Sequence, residues 1–344
     1  MTLTQPAAAA PDDARTWVRI LAEYREPSHR RSAFEVAVSV LPFLLLWILA
    51  WWAMSTSLVL AAGIAILNGA FLVRIFAIQH DCGHNSLFRN RFVSDWIGRT
   101  LGVLTLTPYD VWRRTHAVHH STSGNLDKRG MGDVDTLTVA EFRARSKLGR
   151  VRYRLYRHPL ILFGLGPAYL FMLQNRVPYG LMRSGWDFWV SAMGTNLAIF
   201  GALGVLYALG GLAPLLVIFL PTTLVGASIG VWLFYVQHQF EETQWDTGEA
   251  WLLHDAALHG SSHYVLPGVL RWFTANIGVH HVHHLYSRIP FYRLTEVLRD
   301  HAALASSQRL TIRESFACVG LQLWDGELRR LVSFSEARAL YGRP

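Results

Sequence analysis

Four stretches of the chain stay apolar long enough to cross a bilayer as helices: residues 36–54, 57–73, 188–213 with only Trp186 and Asp187 ahead, and 214–237. About 20 residues at 1.5 Å each cover the roughly 30 Å of hydrocarbon. The connectors Ser55-Thr56 and Gly210-Gly211-Leu212 are short and uncharged, so the stretches pair as two hairpins. Their other ends are flanked by Arg25, Arg30 and Arg31, by Arg74, Arg89 and Arg91, and by Arg176 and Arg183. Excess arginine marks the cytoplasmic side of a membrane, which is where these ends are expected.

Two further apolar stretches, residues 96–107 and 160–174, are shorter. The first is too short to span, and the second has Pro167 in its middle and Arg157 and Arg176 at its ends. Both read as segments that lie in the interface or dip in and return. Residues 113–158 are polar and basic, with Gly124, Gly130 and Gly132 among Asp127, Asp133 and Asp135, and read as a cytosolic cap. Beyond Leu285, residues Leu294, Val297, Leu298 and Leu304 recur at helical spacing. The pattern predicts an all-α integral membrane protein with four transmembrane helices in two hairpins, a cytosolic histidine-rich helical cap and one or two interfacial helices. Its divisions are a cytosolic tail over residues 1–33, a membrane domain over 34–298 and a cytosolic helical segment over 299–344. The Ala- and Pro-rich start, residues 1–26, lacks the apolar core of an export signal and is expected to be mobile.

Composition agrees with a membrane protein: 51% of the 344 residues are hydrophobic and only 16% charged. The 13 tryptophans and 12 tyrosines suit water–lipid boundaries. The formal charge of +8 then reads as attraction to anionic lipid heads. Nucleic acid is not an expected partner, because no basic stripe interleaves with aromatics on a soluble module. Cys82 and Cys318 are the two cysteines, which excludes a disulfide framework and any cysteine-based zinc or iron–sulfur site within the chain. Electrons for redox chemistry must come from outside.

Eight histidines fall in three tight clusters: His80 and His84, then His116, His119 and His120, then His280, His283 and His284. Histidine is the commonest protein ligand for first-row transition ions, and residues at i, i+3 and i+4 of a helix share a face. Each cluster can therefore aim its nitrogens at one place. His281 is surplus in the third cluster and could replace either neighbour. Asp81 cannot share the face of His80 and His84 and reads as an acceptor that fixes an imidazole tautomer; Cys82 reads as a small packing residue. His238 ends the fourth span, where geometry alone leaves it open between a capping group and a ninth ligand. His259 and His263 have Gly260, Ser261 and Ser262 between them, which points to a loop. His29, His158, His254 and His301 read as surface or interfacial residues. Lipid-binding basic groups would explain one cluster poorly and three at repeated spacing hardly at all.

A structural zinc needs four ligands in a closed tetrahedron, and eight or nine converging nitrogens exceed that. Two irons with open positions could bind and split dioxygen and so oxidise an unactivated methylene of a lipid chain. A membrane metal transporter would place ligands inside its spans, yet residues 36–73 and 188–237 are almost free of charge and histidine.

At these residues the chain resembles the integral-membrane fatty acid desaturases, and is similar to the bacterial acyl-lipid omega-6 (delta-12) branch. The family pattern H-x3-H, H-x2-HH, H-x2-HH is met by the three clusters. The likeness extends to Thr107-Pro108-Tyr109-Asp110, Gly124-Asn125-Leu126-Asp127, residues 132–138, residues 237–241 and Ile289-Pro290-Phe291-Tyr292. It implies two irons held by the cluster histidines plus His238, with Asp81, Glu241 and His281 near them. It implies a cis double bond made with dioxygen and two external electrons, on an acyl-lipid or acyl-thioester, in the inner membrane with both termini cytoplasmic. A ferredoxin or cytochrome donor would dock on the basic cap around Arg113, Arg114 and residues 143–154. A di-iron lipid hydroxylase or ketolase would show the same clusters. Phe234 stands where some relatives place an Asn that holds an iron-bound water, and His263 and Val265 stand where close relatives carry an aromatic and an acidic residue.

Overall fold

The computed structural model describes residues 14–342. After α1 (Ala14–Leu21), the first hairpin is α2 (His29–Ala53) and α3 (Leu58–Gly83), each started by a serine whose side chain accepts a backbone N–H of the first turn. The second comprises α9 (Trp186–Gly210) and, behind a π-helical turn at Leu215–Phe219, α10 (Leu220–His238). These are the four helices long and apolar enough to cross a membrane among the described residues. α3 crosses α10 closely because both surfaces are bare there: a Cβ on Gly69 would stand 2.7 Å from Val225, and one on Gly226 2.9 Å from Leu72. Thr222 donates to Ala65 O at 2.9 Å and Asn68 to Phe43 O at 3.1 Å, stitching the spans together.

Between the hairpins lie α4 (Arg91–Leu104), α5 (Tyr109–Thr122), α6 (Val139–Ala144), α7 (Lys147–Tyr156) and α8 (Gly166–Met172), the last entered through a π-helical turn at Ile161–Leu165. α4 has 14 residues, about 21 Å of helix, too short to span. It is clamped to α5 by Arg99, bidentate on Asp110 at 2.9 and 3.1 Å, and by Asp95, which accepts from Arg113 at 2.7 Å and from Tyr109 at 2.9 Å. This clamp aims α5, and with it the second histidine cluster.

Beyond α10 come α11 (Leu253–His259), α12 (Gly268–Phe273) and α13 (His280–Leu285). The C-terminal part is less purely helical than expected: β1 (His263–Val265) pairs in parallel with β2 (Arg309–Thr311), and β3 (Leu323–Asp325) antiparallel with β4 (Arg330–Val332). Of the mobile start expected up to residue 26, residues 1–13 lie outside the described residues. From Ala14 on the expectation fails, because Trp17 and Leu21 are buried in one core with Ile75, Ile78, Val282 and Val297. Large apolar side chains at helical spacing held α1 down.

Candidate metal centre

Nine imidazoles converge from four helices. His80 lies in the last turn of α3 and His84 caps it; α5 carries His116, His119 and His120; α10 ends on His238; α13 carries His280, His283 and His284. Their nitrogens form two groups, each within 4.8 Å: His80, His84, His116, His120 and His283 in one, His119, His238, His280 and His284 in the other. Each cluster was expected to aim at a single place; His80 and His84 do so, whereas the clusters on α5 and α13 divide. On α5 the i, i+4 pair His116 and His120 serves the first group and His119 the second, while on α13 the pair His280 and His284 serves the second and His283 the first.

Within the first group His120 Nε2 lies 3.1 Å from both His116 Nε2 and His283 Nε2; within the second, His238 Nε2 lies 3.1 Å from His119 Nε2 and 3.0 Å from His280 Nε2. A metal–nitrogen bond of about 2.1 Å sets neighbouring ligands about 3 Å apart. The nitrogens His84 Nε2 and His284 Nε2 are buried with no hydrogen-bond partner, which is costly unless an ion takes that place. Burial first, and neighbouring imidazoles second, push His84, His116, His120, His280, His283 and His284 well below the ordinary 6.5. They stand neutral, the ligating form of histidine. The donor set fits two ions of a metal that accepts imidazole, iron included.

The outer partners differ from expectation in three places. Asp133 Oδ1 lies 2.5 Å from His119 Nδ1; with the proton on Nδ1, Nε2 faces the second group. Gly132 allows this approach: at φ +81 a Cβ there would stand 3.3 Å from Thr115 O and from His119 Cβ. A glycine before an aspartate in a polar loop was the available signal, and Asp133 was missed as a partner of a site histidine. Glu241 was expected to orient an imidazole but is exposed beyond α10; His238 Nδ1 instead lies 3.2 Å from Gly260 O. His281 is buried but turned away, its Nε2 2.9 Å from Leu304 O. Asp81 accepts from Phe291 N–H at 2.8 Å, which ties α3 to the segment after α13, and lies 3.4 Å from His80 Nδ1.

The remaining histidines stand apart from both groups. His263 Nδ1 lies 3.2 Å from Ala305 O, His259 Nδ1 3.2 Å from Gln308 Nε2, His301 Nε2 3.1 Å from the Tyr24 hydroxyl, and the His29 ring stacks on Phe88 at 6.0 Å; His158 is exposed. Phe234 packs its ring 5.0 Å from His119 and 5.4 Å from His238. Of the basic cap, Arg113 is held by Asp95, Arg143 by Gly342 O, and Arg154 lies over Phe334, while Arg114, Arg145 and Arg152 are exposed.

The sequence profile of the family described as fatty acid desaturase matches residues 55–316, which includes all nine histidines. This chain belongs to the fatty acid desaturase family. A fatty acid desaturase of Bacillus subtilis is 40% identical over 91% of this chain and 89% of its own length. An sn-1 acyl-lipid omega-3 desaturase (ferredoxin) of Nostoc is 27% identical and an sn-1 oleoyl-lipid 12-desaturase of Synechocystis 25%, each over 67% of this chain and 64% of its own length. The members of the family are oxidoreductases.

Proposed function

We propose that the chain is a membrane desaturase that inserts a cis double bond, omega-6 (delta-12)-like in position, into an acyl chain carried on a lipid. Two irons are held by the nine imidazoles, five at the first group and four at the second. The observation that carries this reading is the presence of two separate all-nitrogen groups side by side, the second fully buried and the first buried at His80 and His283 and half-buried at the others. The two cyanobacterial relatives, both named for lipid-borne acyl substrates and the Nostoc one also for ferredoxin, favour a lipid-borne chain and a small one-electron donor. The exposed Arg114, Arg145 and Arg152 would attract an acidic donor of that kind. With arginines flanking one end of the hairpins, the inner membrane with the site facing the cytoplasm is the orientation we assign.

Iron bound here would supply reduction of dioxygen coupled to removal of hydrogen from an unactivated methylene. The balance is two C–H bonds broken, one C=C formed, and dioxygen, two electrons and two protons leaving as two waters with those hydrogens. The chain's own part is to keep the imidazoles neutral by burial and to fix ring orientation. Asp133 does this for His119 and Gly260 O for His238. Burial of the second group and of His80 and His283 in the first would limit the access of bulk water to a bound ion.

The test is lipid profiling of a host that expresses the protein, with double bonds located by mass spectrometry, beside iron analysis of the purified chain. New unsaturation at the expected position and about two irons per chain are expected from the two donor sets. A product that keeps an added oxygen, or purified active protein without iron, would overturn the proposal.

A further inference from the structure

Arg157, just past α7, is 2% exposed, and no carboxylate pairs with it among the described residues. An arginine so deeply buried is rarely left without a counter-charge. Here five oxygens take its place: Asp135 O at 3.3 Å and Thr136 Oγ1 at 2.9 Å, the Tyr235 hydroxyl at 3.1 Å and Gln239 Oε1 at 3.1 Å, and Leu321 O at 2.8 Å.

These acceptors belong to three segments that matter to the second histidine group. Asp135 and Thr136 directly continue the loop in which Asp133 holds His119. Tyr235 and Gln239 bracket His238, one a turn before it and the other next to it. Leu321 belongs to the C-terminal part, which Tyr235 also reaches by donating to Cys318 O at 2.9 Å. Gln239 closes the ring by donating to Thr136 Oγ1 at 3.1 Å. A planar guanidinium can serve acceptors in several directions at once, which an ammonium on a flexible stem cannot do in fixed geometry.

We propose that Arg157 is a positioning residue for the second histidine group. It locks the Asp133 loop against the end of α10, so that His119 and His238 present their Nε2 atoms 3.1 Å apart, and it makes that register depend on the C-terminal segment. The first group has no part in this ring of bonds. The inference rests on the two-ion reading above.

The test titrates cobalt(II) into purified metal-free full-length chain and follows each equivalent by its visible absorption. Wild type takes up two equivalents. Asp133→Asn, which touches His119 directly, identifies the equivalent bound at the second group. Arg157→Gln is expected to weaken that same equivalent by roughly 10–100-fold, the usual effect of losing an outer partner, and to leave the other unchanged. Arg157→Lys keeps the charge and most of the volume, and weakens the same equivalent by a smaller factor. Both Arg157 variants binding as wild type does, or losing both equivalents alike, overturns the inference. If Asp133→Asn shifts one equivalent and neither Arg157 variant shifts any, the two-ion reading stands and only this inference falls. A wild type that takes up a single equivalent removes both.

Discussion

His120 and His284 lie ring on ring, with centroids 4.1 Å apart and planes 15° from parallel, although each belongs to a different group of converging nitrogens. The stack is the seam between the two groups. Removing either ring deletes a ligand from one group and a packing wall from the other. His120→Ala and His284→Ala are each expected to lower iron at both positions and to cut desaturation by at least about a thousandfold, or ~4 kcal/mol in barrier. Iron analysis and product yield check this; retention of a full complement of iron by either variant would contradict it.

Asp133 and Glu241 separate by their surroundings. Asp133 bonds to His119 Nδ1 at 2.5 Å, whereas Glu241 is exposed. Asp133→Asn is expected to weaken iron binding roughly 10–100-fold, and Glu241→Gln to leave it unchanged. Parallel chelator competition on the two variants decides the matter.

His280 and His281 are neighbours with opposite fates. His280 Nε2 lies 3.0 Å from His238, while His281 Nε2 is 2.9 Å from Leu304 O. His281→Ala should leave iron in place and destabilise the fold by about 1–3 kcal/mol through the carbonyl left unpaired. His280→Ala should lose metal. Thermal unfolding beside metal analysis tells them apart, and metal loss in both would show that His281 also serves the site.

The four spans were legible because long apolar runs have no other stable place, and the ends of the second hairpin came within a few residues, whereas α2 starts at His29 rather than at residue 36 and α3 runs to Gly83 rather than to residue 73. The histidine spacing marked residues that the fold brings together, since i, i+4 pairs share a face. What spacing could not give is the division between groups, because that depends on how α5 and α13 face each other across the stack of His120 and His284. Nor could it find Asp133, whose reach follows from the positive φ of Gly132, or the choice of His280 over His281, which depends on where the Leu304 carbonyl lies. The docked α1 was missed because a short amphipathic helix behind a Pro- and Ala-rich start resembles a tail until its partner surface is known.

The uncharged run of the first hairpin is bounded by Glu35 and Arg74, and these two pair with each other, at 2% and 1% side-chain exposure. Arg74 was read as an interfacial flank, yet it also donates to Ser39 Oγ at 2.9 Å and to Trp272 O. Breaking this buried pair from one side leaves Glu35 with only the half-exposed Arg31, 2.7 Å away, so Arg74→Met is expected to destabilise by up to about 3–5 kcal/mol. Adding Glu35→Gln should recover part of that loss. Unfolding in mild detergent across the single and double variants measures the coupling, and a double variant no better than the single one would show that Arg74 acts through Trp272 rather than Glu35.

Acidification should loosen the metal-free protein in a definite direction. His84, His116, His120, His280, His283 and His284 lie well below 6.5, pushed there by burial first. In the unfolded chain they take up protons below about 6.5, and in the folded chain they do not. The unfolded state therefore binds more protons, so stability rises with pH across this range; it is complete above about 6.5 and is lost as pH falls. Each group removes up to about 1.4 kcal/mol per pH unit below that point. Iron held by the folded, neutral imidazoles should shift this loss of stability to lower pH, because protons compete for the imidazoles chiefly in the unfolded chain. Thermal unfolding of metal-free and iron-loaded protein between pH 7.5 and 5 is the measurement, in conditions of about constant ionic strength so that screening stays fixed. A metal-free midpoint that does not fall on acidification would mean the imidazoles are already charged in the fold, and that they do not form the neutral, ion-binding groups described above.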